Sequence, residues 1–155
     1  MAGYDRITPE GKRFYAQLEE LKKLEVRIGY QQGKAESEEG IDMCDIAMWN
    51  ELGTEGSNPI PSRPFLRKSV DENLDTIKAF CKAQISKITK GATAEHCLTQ
   101  IGVLAKGLVQ DKIESGQYTP NAPSTIKRKK SDKPLIDTGR LRQSVSFFIR
   151  GKGEK

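Results

Sequence analysis

The sequence predicts an α+β fold, a long helical hairpin packed on a small, mainly antiparallel β-sheet. Three observations predict it. Leu66, Val70, Leu74, Ile77, Cys81, Ile85 and Ile88 recur at spacings of four and three, the period of one helix face. A second run, Cys97, Ile101, Leu104, Leu108 and Ile113, follows a break at Lys90-Gly91. Two short β-prone stretches, Val26–Tyr30 and Val145–Arg150, lie outside that helical middle.

The elements follow in order. Thr8 and Pro9 predict a helix start, with Thr8 as N-cap and Pro9 at the first helical position. Phe14, Leu18, Leu21 and Leu24 then share a face. Glu25 to Tyr30 alternates polar and apolar residues, the pattern of a half-buried strand. Residues 31–40 are polar and Glu-rich and predict a flexible loop. Ile41 to Leu52 is a short helix, apolar on two sides and so wedged between layers or subunits, and Gly53 is its stop. In this reading Trp49, the only tryptophan, locks the helix into the core.

Pro59, Pro61 and Pro64 stiffen the next loop, and Pro64 begins the long helix Leu66–Ile88. The second arm runs from about Thr93 to Glu114, joined antiparallel at Gly91; Gly102 and Gly107 would let a neighbour approach it closely. A loop with Pro120 and Pro123, a helical turn near Thr125–Lys129 and a last strand over Ser144–Arg150 complete the pattern. Residues 1–150 read as one domain and 151–155 as a disordered tail.

Composition narrows the function. The chain has 155 residues, 35% hydrophobic and 30% charged, with a net charge of +5. Residues 1–60 carry 7 Lys/Arg against 12 Asp/Glu, a net of −5, and the remainder carries 19 against 9, a net of +10. Such asymmetry fits nucleic-acid binding or head-to-tail self-association. No apolar run is long enough to span a membrane, and the first residues lack the apolar segment of a signal peptide. Cys44, Cys81 and Cys97 form no metal-ligand spacing with the single His96, and read as thiols buried in a reducing cytosol. No Gly-rich phosphate loop is present, so no cofactor is expected.

Three stretches carry candidate function. Arg63, Pro64, Phe65 and Arg67 form either a docking loop, with Phe65 as anchor between arginines, or a rigid internal corner. Lys127, Arg128, Lys129, Lys130 and Lys133 form a basic cluster suited to phosphate contacts. Leu135-Ile136-Asp137-Thr138-Gly139 matches the aspartic-protease signature, in which two carboxylates share a proton. That chemistry needs a mostly β fold, and the Arg140-Leu141-Arg142 continuation is too charged for it. The competing reading is a turn in which Asp137 or Thr138 caps a short helix, with Gly139 near its start.

Two segments together carry a resemblance. Asp45-Ile46-Ala47-Met48-Trp49-Asn50-Glu51-Leu52-Gly53-Thr54 followed by Ile60-Pro61-Ser62-Arg63-Pro64-Phe65-Leu66-Arg67 resembles an A-x-W-N-E-F-G-T … I-P-x-R-P-F-L-R pattern, and Lys133 to Val145 resembles K-P-L-I-D-T-G-x-L-R-x-S-I. Both patterns belong to the neck and tail-completion proteins of tailed bacteriophages. Leu52 stands where phenylalanine is common, and the chain stops soon after Arg150, where many relatives add a strand that a neighbour would supply here. The resemblance implies a non-enzymatic structural protein of the virion neck or tail end, present in the host cytoplasm during assembly. It implies a homo-oligomeric ring, a hexamer or dodecamer, that meets connector or head-completion proteins and tail-terminator or tail-tube proteins. Non-specific contact with DNA in the channel, and none with a membrane, goes with it. Trp49, Asn50, Gly53, Thr54, Arg63, Pro64, Phe65, Arg67, Asp137, Thr138, Gly139 and Arg140 are then its interaction or structural residues. The alternative function is a basic nucleic-acid-binding module that contacts phosphates through residues 127–133.

Overall fold

The computed structural model describes residues 6–129, 135 and 139–154. It is α+β: seven helices and a two-stranded antiparallel sheet among the described residues. In chain order these are α1 (Pro9–Lys23), β1 (Leu24–Gly29), α2 (Met43–Leu52), α3 (Phe65–Asp71), α4 (Leu74–Ile88), α5 (Ala94–Ser115), α6 (Pro123–Lys129), α7 (Arg140–Gln143) and β2 (Ser146–Gly151). The central piece is α5, against which α1, α3, α4, α7 and both strands pack.

Local side-chain chemistry caps three of the helices, and α1 and α5 start where the sequence placed them. Thr8 caps α1 by accepting from the Gly11 amide at 3.1 Å, with Pro9 at the first position. Asp42 caps α2, its Oδ1 accepting from the Cys44 amide at 2.9 Å, while its Oδ2 accepts from the Gly33 amide at 2.6 Å and ties down the preceding loop. Thr93 caps α5 through the His96 amide at 3.1 Å. Gln17 of α1 adds a second cap there, its Oε1 accepting from the Ala94 amide at 2.8 Å.

The two strands pair from Leu24 opposite Gly151 to Gly29 opposite Ser146. The period of two puts Val26, Ile28, Phe147 and Ile149 on one face and Glu25, Arg27, Phe148 and Arg150 on the other. The first face meets α5 at Gly102. A Cβ there would stand 2.2 Å from the Phe147 ring, so only glycine lets the sheet sit this close. Gly107 has open space and serves no such approach. β2 runs through Gly151, and the Lys152 amide donates to the Lys23 carbonyl, so strand pairing reaches into the expected tail.

Three expectations fail for physical reasons. The helix expected from Leu66 to Ile88 is broken at Glu72 and Asn73 into α3 and α4. Asn73 turns its Nδ2 back to the Ser69 carbonyl at 2.8 Å, competing with the helical ladder, and the bend lets both pieces lie on α5. The bend also shifts the phase of α4: Gln84 and Ile88 are buried, whereas Leu74 and Ile85 are each 44% exposed. On α2 the buried residues are Met43 and Ala47, while Met48 and Leu52 face outward. Trp49 is only half-buried and takes no part in the main core, so it does not lock the helix there. Pro64 is the N-cap of α3 rather than its first residue, and it offers no side-chain acceptor.

The core gathers Met43, Ala47, Phe65, Val109, Ile113, Leu135, Leu141 and Val145, with Tyr30 and Ile46 among the residues around it. Phe65 is fully buried and meets Tyr30 edge-on, with ring centroids 6.2 Å apart at 79°.

Candidate functional site

The site is built on the corner between α2 and α3. At the end of α2, Gly53 adopts φ +79°, and its amide donates to the Trp49 carbonyl. A Cβ on Gly53 would stand 2.9 Å from the Ser62 amide nitrogen, so the returning chain can pass only over a glycine. Thr54 then holds Ile60 twice: its amide donates to the Ile60 carbonyl, and its Oγ1 accepts from the Ile60 amide, each at 2.9 Å. The loop between is thereby closed at its base.

Glu51 holds the next helix. Its two carboxylate oxygens accept from the amides of Leu66 at 2.8 Å and Arg67 at 3.0 Å, at the N-terminus of α3. Pro64 cannot supply a cap, so a carboxylate from α2 satisfies donors that would otherwise be orphaned and sits favourably at the positive end of the helix. Glu51 lies in the A-x-W-N-E-F-G-T pattern, which by itself gives it no capping role. Its signal is a helix start with no Ser, Thr, Asp or Asn at the cap, which obliges the cap to come from elsewhere.

Arg63 is the hub. It is 4% exposed, and its backbone amide donates to the Asn50 carbonyl at 2.6 Å. The guanidinium donates from Nε to the Thr119 carbonyl (2.8 Å), from Nη1 to Asn50 Oδ1 (3.2 Å), and from Nη2 to the Pro120 carbonyl (3.3 Å) and Asn121 Oδ1 (3.0 Å). All four acceptors are neutral. Burial alone pushes its pKa below the ordinary arginine value. Asn50 is fixed in turn, its Nδ2 donating to the Ile46 carbonyl at 2.9 Å.

Beside this corner lies a cleft of about 700 Å³. Ile46 and Trp49 of α2 form one wall, Pro59 and Ile60 of the loop another, and Asn121 and Arg128 a third. Arg63, Glu38, Glu39 and Arg140 also line it. Arg128 is paired with Glu39 at 3.6 Å, and Arg140 donates to the Glu36 carbonyl at 2.8 Å.

The structure therefore brings Trp49, Asn50, Gly53, Thr54, Arg63, Pro64 and Phe65 into one corner, with Arg63 and Phe65 turned inward as braces. Arg67 is exposed, its side chain free of that corner and only its amide engaged. Gly139, in the left-handed conformation, caps α7, and Arg140 begins that helix. Asp137 and Thr138 lie outside the described residues, as do Lys130 and Lys133. Lys127 and Arg128 are exposed on α6, the helix that Lys129 ends.

His96 is exposed and Cys97 buried on adjacent positions of α5, with the Cys97 thiol donating to the Gln84 carbonyl at 3.2 Å. Burial raises the pKa of Cys44, Cys81 and Cys97 alike. Among the described residues, no group of three His, Cys, Asp or Glu could hold a metal ion, and no helix is long and apolar enough to cross a membrane. Comparison with protein-family models, with curated proteins and with solved structures returns no match to this chain.

Proposed function

We propose that this chain is a structural virion protein of the neck or tail end of a tailed bacteriophage, one that assembles as a ring to join or complete the head–tail connection. The observation that carries the reading is the braced corner. The residues that carry the resemblance, Asn50, Gly53, Thr54, Arg63 and Phe65, each make a contact the corner requires, and Glu51 ties α2 to α3. The pattern thus specifies a rigid platform rather than a chance string of residues.

Three further observations favour assembly. Met48 and Leu52 stand 49% and 71% exposed one turn apart on α2, an apolar face that a neighbour would cover. A sheet of two strands has both outer edges open among the described residues, which is the usual template for strand addition. The acidic first part and basic remainder suit a head-to-tail contact, the geometry that closes rings.

The test is native mass measurement and electron microscopy of the purified chain over rising concentration. The reading expects a closed ring of one stoichiometry, with weak DNA affinity. A chain that stays monomeric throughout, and binds DNA with a steep salt dependence abolished by replacing Lys127 and Arg128, would instead establish the nucleic-acid-binding alternative.

A further inference from the structure

We propose that the cleft beside Trp49 is a binding site for a carboxylate, carried by a short extended and partly apolar segment of a partner protein. The inference goes beyond the assembly reading and does not depend on ring formation.

Two side chains lining the cleft carry N–H groups without acceptors. A guanidinium has five N–H groups, and Arg63 uses one at Nε, one at Nη1 and two at Nη2. One Nη1 hydrogen has no partner among the described residues. Asn121 Nδ2 is buried with no partner either. The two side chains are in contact, because Asn121 Oδ1 accepts from Arg63 Nη2 at 3.0 Å, and both line the cleft. Buried donors without acceptors are costly, so this pair favours an occupant that brings lone pairs.

Charge then selects among acceptors. No carboxylate hydrogen-bonds Arg63 among the described residues, and its four acceptors there are neutral oxygens. Among the described residues the other charges lining the cleft balance in number, Arg128 and Arg140 against Glu38 and Glu39, with Arg128 paired to Glu39. The surplus is the charge on Arg63. A carboxylate, which offers several lone pairs to converging N–H donors, answers both the charge and the orphaned hydrogens. A neutral amide oxygen would answer only the second.

The walls select the body that carries it. Trp49, Ile46, Pro59 and Ile60 are apolar, and prolines fix the loop before any ligand arrives, which lowers the ordering cost of binding. A volume of about 700 Å³ is large for a bare anion and suited to a few residues of extended peptide.

Trp49 is the only tryptophan and stands in the cleft wall, so its fluorescence reads occupancy directly. The full chain is titrated with acetyl-Leu-Asp-Leu-amide, with the Asn analogue of that peptide, and with acetate. The expected result is a saturable change with the Asp peptide at a Kd at least tenfold below that of the Asn analogue. Acetate should need a far higher concentration for the same change. Asn121→Ala, shown to be folded by its thermal transition, should erase most of the preference for Asp. Equal affinities for the two peptides would overturn the proposal, as would an unchanged preference in the Asn121 variant. Saturation by acetate at the peptide's own concentration would reduce the site to an adventitious small-ion pocket, and no response to millimolar peptide would remove it.

Discussion

Phe65→Ala separates a residue that holds the monomer together from one that reaches for a partner. The ring is fully buried and packed edge-on against Tyr30. Truncating a buried phenylalanine costs the lost transfer free energy and the cavity left behind, about 3–5 kcal/mol together. A domain of this size has a total stability of roughly 5–15 kcal/mol, so the variant should fold but with a much reduced margin. Urea unfolding, followed both by Trp49 fluorescence and by far-ultraviolet circular dichroism, should show the midpoint falling while the slope holds. A double-mutant cycle with Tyr30→Ala should return a coupling of about 1 kcal/mol for the aromatic pair. Phe65→Leu should lose less. A cost under about 1 kcal/mol, the size of an ordinary substitution, together with loss of the oligomer would refute a core role for the ring. Phe65 would then be a contact residue.

The other predictions address the corner, the sheet and the tyrosines. Glu51→Ala removes both caps at the start of α3 and should cost about 1–3 kcal/mol, with Glu51→Gln milder; denaturant titration checks the size and amide exchange within α3 checks the place. Gly102→Ala forces the Phe147 ring aside and should destabilise by about 1–3 kcal/mol, whereas Gly107→Ala, in open space, should stabilise by about 0.5–1 kcal/mol in parallel thermal melts. Burial first, then Glu72 and Glu51, push the Tyr118 hydroxyl up to about 12 from its ordinary 10.0. Tyr30 is shifted the same way by burial and Glu51. A raised tyrosine pKa means the fold favours the neutral form, so its contribution is complete below pH 10.0 and is lost as pH climbs through about 12. The Tyr30 and Tyr118 hydroxyls donate to the Leu141 and Lys112 carbonyls respectively, bonds that ionisation removes. Urea midpoints across that range should fall, and Tyr118→Phe should flatten the fall.

Local chemistry makes part of this fold legible from the residues alone. Thr8-Pro9 and Gly53 have backbone requirements that few residues meet, and each lies where the sequence put it. The alternation in Val26–Tyr30 and the run Phe147-Phe148-Ile149 likewise became the two strands. What stayed hidden depends on residues far apart in the chain. The apolar spacing runs straight through Asn73, and only the demand that α3 and α4 both cover α5 explains why that asparagine ends one helix. Gln84 is buried and Ile85 exposed because the bend resets the phase, which no count of spacings reveals. Sequence alone leaves Arg63 in either a docking loop or an internal corner. Arg63 is buried because Thr119, Pro120 and Asn121, more than fifty residues later, bring it carbonyl and amide oxygens. Trp49 reads as core by size alone, yet it stands at the wall of the cleft.

The pairing of Leu24 with Gly151 carries a kinetic consequence. Closing a loop of that length costs roughly 4 kcal/mol of chain entropy before any strand contact repays it. The α4–α5 hairpin, joined by a few residues, faces almost no such cost. The hairpin should therefore form early, and the sheet should zip up after the folding barrier has been crossed. Substitutions at Val26 or Ile149 would then leave the refolding rate nearly untouched and speed unfolding, so the lifetime of the folded chain would be set where its two most distant segments meet.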